Sequence, residues 1–151
     1  MQPGLTLLKS KFLILLIALG VIAQAQDPTG LWRTIDDKTG KERGTVRLYL
    51  EAGEVFGRIE STVDPKEAAS VCGLCPGDRK NKAIIGLPIL RHMKKTGSDW
   101  TGGDILDPDT GSVYRCKFKI TGDGNKMTLR GYLGVSLLGR SQVWMRQQQT
   151  Y

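Results

Sequence analysis

The residues best suited to chemistry are two cysteines separated by two residues, in the segment Cys72-Gly73-Leu74-Cys75-Pro76. Thiols at this spacing form a small disulfide, and some such pairs exchange disulfides with other proteins. Thioredoxin-like enzymes hold the pair at a helix N-terminus between strands, whereas this segment lies in a polar loop of a strand-rich sequence. We predict a structural Cys72–Cys75 disulfide that holds the loop, with thiol exchange, free thiols and metal binding as the alternatives.

The third cysteine, Cys116, lies on the apolar face of an alternating segment, which predicts a buried and unreactive thiol. A zinc site can be assembled on paper from Cys72, Cys75, Cys116 and His92, because all four are zinc-ligand types. The set lacks a second paired spacing and Cys116 is directed toward the core. We therefore predict no metal site.

Acid–base and nucleophilic catalysis have few candidate residues in this chain. A Ser-His-Asp set is possible only around His92, which lies between Arg91 and the basic Lys94-Lys95 pair and is predicted to be a solvated surface residue. Asp104 is the best candidate for an inward-facing acid, while Asp107 and Asp109 are explained by turn hydrogen bonding. The sequence therefore identifies no catalytic residues and no cofactor, and it favours a non-enzymatic protein over an enzyme without deciding between them.

Aromatic and polar residues form a third group, of the kind that lines the mouth or cavity of a small barrel. Three of its members are predicted to be packing residues, with an arginine on or beside an indole: Trp32, Trp144 and Arg146. The candidate ligand-binding residues are Trp100, Asp104, Tyr114, Arg130, Tyr132 and Arg140. The alternative for this whole group is plain core packing.

Period-two alternation of apolar and polar residues predicts about eight short antiparallel strands. They cover residues 31–35, 44–51, 54–60, 87–95, 98–106, 114–120, 126–132 and 141–146. Residues 64–81 form a polar surface loop that can begin with one helical turn at Pro65. The fold class is all-β, and its natural closure is an up-and-down antiparallel barrel. Residues 133–140 are unusually apolar for a connection and form either a buried cap or an exposed contact patch.

The first 25 residues have the pattern of a secretory signal peptide. Lys9 and Lys11 precede an apolar run over residues 12–22, and Ala23-Gln24-Ala25 predicts cleavage before Gln26. The run is too short for a transmembrane anchor, which needs ~20 apolar residues. We therefore expect a secreted or periplasmic protein without a transmembrane anchor in its mature form. This compartment excludes ATP-dependent, nucleic-acid-binding and cytosolic redox functions.

Residues 26–151 are predicted to form a single domain. The leader holds two of the 22 basic residues and none of the 15 acidic ones, so residues 26–151 carry a net charge of +5. A basic surface outside the cytoplasm favours an anionic envelope surface as a possible partner, with solubility alone as the alternative.

The order of several short motifs resembles the bacterial secreted family called domain of unknown function 2147. The motifs are Gly30-Leu31-Trp32, Gly57-Arg58-Ile59, Gly86-Leu87-Pro88-Ile89-Leu90, the segments 100–108, 111–114 and 130–134, and the segment 139–146. The resemblance covers essentially the whole of residues 26–151. It implies a lipocalin-like, calycin-type barrel in which the indole of the Gly-x-Trp motif packs across the closed end, and it implies no known reaction.

Three functions follow from these features. The first is a non-enzymatic binding module for a small amphipathic or apolar ligand, in which arginines suit an acidic headgroup. The second is an envelope interaction protein with a filled barrel, acting through its basic surface or the 133–140 loop. The third is thiol–disulfide exchange through Cys72 and Cys75. Cavity volume separates the first two, because a small barrel filled by side chains leaves no room for a ligand.

Overall fold

A computed structural model describes residues 26–148 and shows eight antiparallel strands closed into one barrel. The strands are β1 (Gly30–Ile35), β2 (Glu42–Glu51), β3 (Glu54–Thr62), β4 (Pro88–Thr96), β5 (Asp99–Asp107), β6 (Ser112–Thr121), β7 (Lys126–Tyr132) and β8 (Arg140–Arg146). Each strand pairs with its neighbour in sequence, and β1 closes the barrel against β8. The predicted eight-stranded up-and-down barrel is confirmed. The predicted leader lies outside the described residues.

Tight turns fix which connections lie at each end of the barrel. Ala52 and Gly53 join β2 to β3 with φ angles of +50° and +80°. Two positive φ angles are typical of the two-residue hairpin turns whose twist matches the flanking strands. In an up-and-down barrel the β2–β3, β4–β5 and β6–β7 connections lie at the end where β1 begins, which we call the closed end. The four remaining connections lie at the opposite, open end.

The connection between β3 and β4, residues 63–87, is the longest in the barrel. It begins with a helical turn, α1 (Pro65–Ala68), capped by the Asp64 carboxylate, which accepts a hydrogen bond from the Lys66 N–H at 2.9 Å. The predicted helical turn is confirmed. Among residues 26–148 no helix has the length and apolar character needed to cross a membrane.

Part of this connection is buried, although its composition predicted a surface loop. Cys72, Cys75, Ile84 and Leu87 belong to the same buried cluster as the barrel interior. Backbone hydrogen bonds tie the connection to the barrel, because Ile59 donates to the Leu87 carbonyl at 3.0 Å and Gly86 donates to the Ile59 carbonyl at 2.8 Å. The apolar residues are spaced too irregularly for a periodicity argument to find their burial.

Large side chains fill the closed half of the barrel. The buried residues there include Trp32, Leu48, Val55, Leu90, Met93, Trp100, Cys116, Phe118 and Met127. Packing is tight enough to require a glycine at position 57, where an added Cβ would lie 2.5 Å from the Leu48 Cδ2 atom and 3.1 Å from the Leu90 Cβ atom. The space inside the barrel lies in the open half.

Candidate functional site

The open half of the barrel contains a cavity of about 550 Å³. This volume lies within the ~300–1,000 Å³ range of sites that bind small molecules. Its wall is mainly apolar, with Val46, Ile59, Ile105, Leu129 and Trp144 contributed by five different strands. An apolar wall with an opening to solvent is suited to the hydrophobic part of a small ligand.

Gly131 on β7 keeps part of this cavity open. A Cβ atom at this position would lie 3.4 Å from both the Ile105 Cγ2 and the Tyr114 Cβ atoms. Such distances are ordinary van der Waals contacts, so a larger residue would project into the cavity from this point. A side chain larger than that of alanine at position 131 would therefore press against Ile105 and Tyr114 or extend into the cavity.

The charged residues that line the cavity lie near its mouth, and several of its polar groups already have partners. The Trp144 indole N–H donates to the Gln142 side-chain oxygen at 3.2 Å, and the Thr34 hydroxyl donates to the Gly44 carbonyl at 3.2 Å. Tyr114 lies two register positions from the Asp107–Ser112 pair at the open end of β5 and β6. The interior of the cavity is thus apolar, and the Tyr114 ring and hydroxyl lie near its mouth.

Ion pairs surround the mouth. Arg43 donates to Asp109 at 2.6 Å and to Glu67 at 3.2 Å, and the hydrogen bond with Asp109 raises the pKa of Arg43. Arg140 forms a bidentate ion pair with Asp37, and its hydrogen bonds lower the pKa of the Asp37 carboxyl. Both arginines at the mouth therefore already hold carboxylates of the protein itself.

Trp32 and Arg146 pack against each other at the closed end of the barrel. The Trp32 indole is fully buried and its N–H donates to the Pro28 carbonyl at 2.8 Å. The Arg146 guanidinium carbon lies 4.3 Å from the centre of the Trp32 ring. Trp144, predicted as a third packing residue, is also buried, but it lines the cavity instead of the closed end.

Three of the six candidate ligand-binding residues line the cavity: Tyr114, Tyr132 and Arg140. Tyr114 shares the inward face of β6 with buried Cys116 and Phe118. Tyr132 lies at the open end of β7 and also borders a small groove beside Gly102, Gly103 and Arg115. Arg140 stands at the mouth, where its charge is neutralised by Asp37.

The other three candidates lie elsewhere in the fold. Trp100 stacks on Phe118 in the closed half, with ring centres 5.9 Å apart. Asp104 lies 3.5 Å from the buried guanidinium of Arg79, which belongs to the β3–β4 connection. Arg130 donates to the Ser141 hydroxyl at 2.9 Å and to the Leu137 carbonyl at 3.0 Å. Trp100 therefore packs in the core, Asp104 contacts the β3–β4 connection, and Arg130 contacts the β7–β8 connection.

Sequence reasoning did not single out Thr34, Gln142 or Gly131 as lining residues. The period-two pattern assigned residues to faces of each strand but did not say which half of the barrel each inward residue occupies. Counting register positions from the hairpin turns would have placed all three in the open half, because each turn fixes how far along the barrel the neighbouring pairs lie.

The predicted Cys72–Cys75 disulfide is confirmed, and it is buried, with Cys72 2% and Cys75 1% exposed. Cys116 is buried in the core, and burial raises the pKa of its thiol well above the usual range. His92 lies at the surface, where its Nδ1 atom is 2.7 Å from a Glu54 carboxylate oxygen. These four zinc-ligand types are therefore not brought together.

Comparison with known proteins places the chain in a family. The family model described as "Uncharacterized protein conserved in bacteria (DUF2147)" matches residues 30–146. The chain belongs to this DUF2147 family. The match includes all eight strands of the barrel. None of the curated proteins matches the DUF2147 chain significantly.

A solved structure shares the fold of this DUF2147 protein. Protein HP1028 from the human pathogen Helicobacter pylori, described as belonging to the lipocalin family, superposes with a TM-score of 0.70. The two chains are 20% identical, and the match covers 82% of this chain and 84% of HP1028. The lipocalin-like fold predicted for this DUF2147 protein is confirmed by that similarity.

Proposed function

We propose that this protein is a non-enzymatic binding protein that holds a small amphipathic or apolar ligand in the open half of its barrel. The observation that supports this function most directly is the cavity of about 550 Å³ with its mainly apolar wall. A cavity that reaches solvent through one end gives a ligand a route in and allows its polar end to stay at the mouth.

The cavity also weighs against the filled-barrel alternative. Side chains fill only the closed half, so the protein retains the internal space that a purely structural barrel would lack. Thiol–disulfide exchange is disfavoured by burial, because an attacking thiolate must reach a disulfide sulfur. With both half-cystines almost fully buried, the disulfide is better suited to holding the β3–β4 connection.

Fluorescence of N-phenyl-1-naphthylamine, a neutral apolar dye, tests the cavity function. We expect saturable binding by the native protein and a loss of at least about tenfold in affinity in Gly131→Leu, whose side chain would occupy the space beside Ile105 and Tyr114. Thr34→Phe, on β1, fills the cavity from another wall. Thr128→Val is the matched control, since Thr128 alternates with the buried residues of β7 and lies outside the cavity lining.

Folding of each variant is verified by its thermal unfolding curve. Equal dye affinity in native protein, Gly131→Leu and Thr34→Phe, with all three folded, would rule out binding in the barrel cavity.

We further propose export from the cytoplasm with cleavage after Ala25. The composition of residues 1–25 and the Cys72–Cys75 disulfide both support an oxidising destination. Gln26, the first residue after the proposed cut, donates a side-chain hydrogen bond to the Gly122 carbonyl at 2.7 Å, which ties this residue to the β6–β7 turn. Intact-mass measurement of protein isolated from the medium or periplasm tests both points, and a cytosolic, full-length chain would contradict them.

A second candidate function is contact between the open end and a lipid surface of the cell envelope. Among residues 26–148, eight of the nine large apolar side chains that are exposed lie in the β3–β4 and β7–β8 connections. Leu137 and Leu138 are the most exposed, at 87% and 82%. They belong to a short 3₁₀ turn (Ser136–Leu138), so the segment predicted as either a cap or a contact patch is a turn with exposed leucines.

Co-sedimentation with lipid vesicles tests this second function. We expect native protein to bind and the double variant Leu137→Ser/Leu138→Ser to lose binding. Leu50→Ser is the matched control, because Leu50 is the one exposed large apolar residue of the described chain that lies near the closed end. Equal sedimentation of the native protein and the open-end variant would contradict lipid contact through these loops.

A further inference from the structure

Charged residues at the cavity mouth have the opposite balance to the protein as a whole. Residues 26–151 carry a net charge of +5, yet the charged residues lining the cavity comprise four acidic and three basic ones. Asp37, paired with the lining residue Arg140, raises the number of carboxylates to five. The acidic members are Asp36, Asp37, Glu67, Asp107 and Asp109, and the basic members are Lys38, Arg43 and Arg140.

The two arginines at the mouth are committed to carboxylates of the protein. Arg43 is held between Asp109 and Glu67, and Arg140 is held by both oxygens of Asp37. An anionic ligand would have to compete with three internal carboxylates for these guanidinium groups. The expectation that arginines suit an acidic headgroup therefore loses its structural basis at this mouth.

The remaining carboxylates are held by neutral donors. The Asp36 carboxylate accepts hydrogen bonds from the backbone N–H groups of Lys38 and Thr39, at 3.0 and 2.7 Å, and the Asp107 carboxylate accepts one from Asp109 at 3.0 Å. These bonds orient the two carboxylates without cancelling their charge. The mouth thus presents negative charge to an entering ligand.

Aromatic side chains inside the cavity favour the same sign of ligand charge. Tyr114 and Trp144 both line the cavity, and Tyr114 lies just below the mouth. Aromatic ring faces attract cations and recognise quaternary ammonium groups in particular. A cationic head near the mouth would meet the Tyr114 ring and the carboxylates together, while its apolar body contacts Val46, Ile59 and Leu129.

We propose that the cavity selects cationic amphiphiles, that is, ligands with an apolar body and an ammonium-type head, over anionic amphiphiles of equal length. The inference rests on the proposed cavity function and adds the charge class of the ligand. Neutral amphiphiles of the same length should bind with intermediate affinity, because all three classes make the same contacts with the apolar wall and differ only in the charge of the head.

Competition against N-phenyl-1-naphthylamine tests the charge class with three decyl compounds below their micelle concentrations. We expect decyltrimethylammonium to displace the dye at the lowest concentration, 1-decanol next and decanoate last, with at least about a tenfold spread between the cation and the anion. In Asp36→Asn/Asp107→Asn the spread shrinks at least about threefold, since an amide keeps the turn hydrogen bonds but carries no charge.

A single and a double control variant separate the effect of charge at the mouth from the effect of the protein's overall charge. Asp123 accepts a hydrogen bond from the Asn125 N–H at 3.1 Å in the β6–β7 turn, at the closed end. Asp123→Asn, alone or with Asp99→Asn in the β4–β5 hairpin at that end, removes negative charge without touching the mouth, so the spread stays at its native value. Equal or tighter displacement by decanoate, with the dye bound, would overturn the charge proposal and leave the cavity function standing. Absence of dye binding would overturn both.

Discussion

Arg146 lies over the indole ring of Trp32 and binds the segment that precedes β1. Its guanidinium carbon is 4.3 Å from the ring centre, and it donates to the carbonyls of Gly124, Thr29 and Asp27 at 2.8, 2.7 and 2.6 Å. One side chain therefore joins the β6–β7 turn, the start of the described chain and the barrel floor. This arrangement leaves the closed end without space for a ligand, so binding belongs to the opposite end.

Replacing Arg146 by methionine should destabilise the fold without changing the cavity. The variant loses charge-assisted hydrogen bonds to three carbonyls and the contact with Trp32, which together are expected to cost about 2–4 kcal/mol. Urea unfolding measures this change. Arg33→Met is the control, because the 3.4 Å ion pair of Arg33 with Glu42 is exposed at both ends and should contribute less than about 1 kcal/mol. Similar losses in the two variants would contradict the sealing role of Arg146.

Glycines in the two halves of the barrel should respond differently to an added methyl group. Gly57→Ala introduces a Cβ atom 2.5 Å from Leu48 and should cost about 1–3 kcal/mol through overpacking. Gly131→Ala places its Cβ at ordinary contact distance in the cavity and should be neutral or stabilising by up to about 1 kcal/mol. Thermal unfolding of both variants provides the measurement. A larger loss in Gly131→Ala than in Gly57→Ala would show that the filled and open halves are assigned the wrong way round.

Period-two alternation was sufficient to predict the eight strands, and the family resemblance supported their closure into a barrel. Residues such as Cys116 and Phe118 alternate with Lys117 and Lys119 on a single strand, and each hairpin has a recognisable turn. This alternation arises within a single strand, so it can be recognised from the sequence alone. The family resemblance added the closed-end role of Trp32, which the structure shows.

The candidate site was only partly predictable because its geometry depends on distant pairings. Trp100 and Tyr114 both look like cavity aromatics, but strand register puts Trp100 beside Phe118 in the filled half and Tyr114 beside Ile105 near the mouth. The sequence pattern predicts that Asp104 is an inward-facing acid, but in the structure it lies 3.5 Å from Arg79, which is 25 positions earlier in the chain. Contacts of this kind leave no periodic signal.

The ion pair between Asp104 and Arg79 predicts a variant that affects stability and not binding. Asp104→Asn should leave the buried Arg79 guanidinium less well compensated and lower stability by about 1–3 kcal/mol. Dye affinity should stay at its native value, since Asp104 is outside the cavity lining. Tyr114→Leu is the counterpart, in which affinity should fall while stability changes less. Lost dye binding in a folded Asp104→Asn variant would return Asp104 to the list of ligand contacts.

Acid should destabilise the fold through carboxylates that pair with arginine. Hydrogen bonds from Arg140, Arg47 and Arg91 lower the pKa values of Asp37, Glu60 and Asp78 respectively. Each folded-state pKa is below the unfolded value of about 4, so the folded protein binds fewer protons there, and the contribution is complete above that value and lost as the pH falls through the folded pKa.

Urea unfolding at a series of pH values measures this effect. We expect a plateau at neutral pH and a decline below about pH 5, weakened by high salt because the pairs are partly exposed. Arg47→Gln should make the decline shallower by freeing Glu60. Stability that rises as the pH drops toward 3 would contradict the assignment.

The buried disulfide should resist reduction until the protein unfolds. Cys72 and Cys75 are almost fully covered, so dithiothreitol can attack the sulfurs only when the β3–β4 connection opens. We expect the native disulfide to be reduced at least about tenfold more slowly than in denaturant, followed by mass spectrometry after alkylation. The short loop it closes predicts a stabilisation of about 2 kcal/mol, lost in Cys72→Ser/Cys75→Ser. Cys116 serves as an internal control, because its buried thiol should be alkylated only in denaturant. Fast reduction of the disulfide in the native protein, with Cys116 still protected, would show that the β3–β4 connection opens independently of the barrel. That result would support thiol–disulfide exchange as a function.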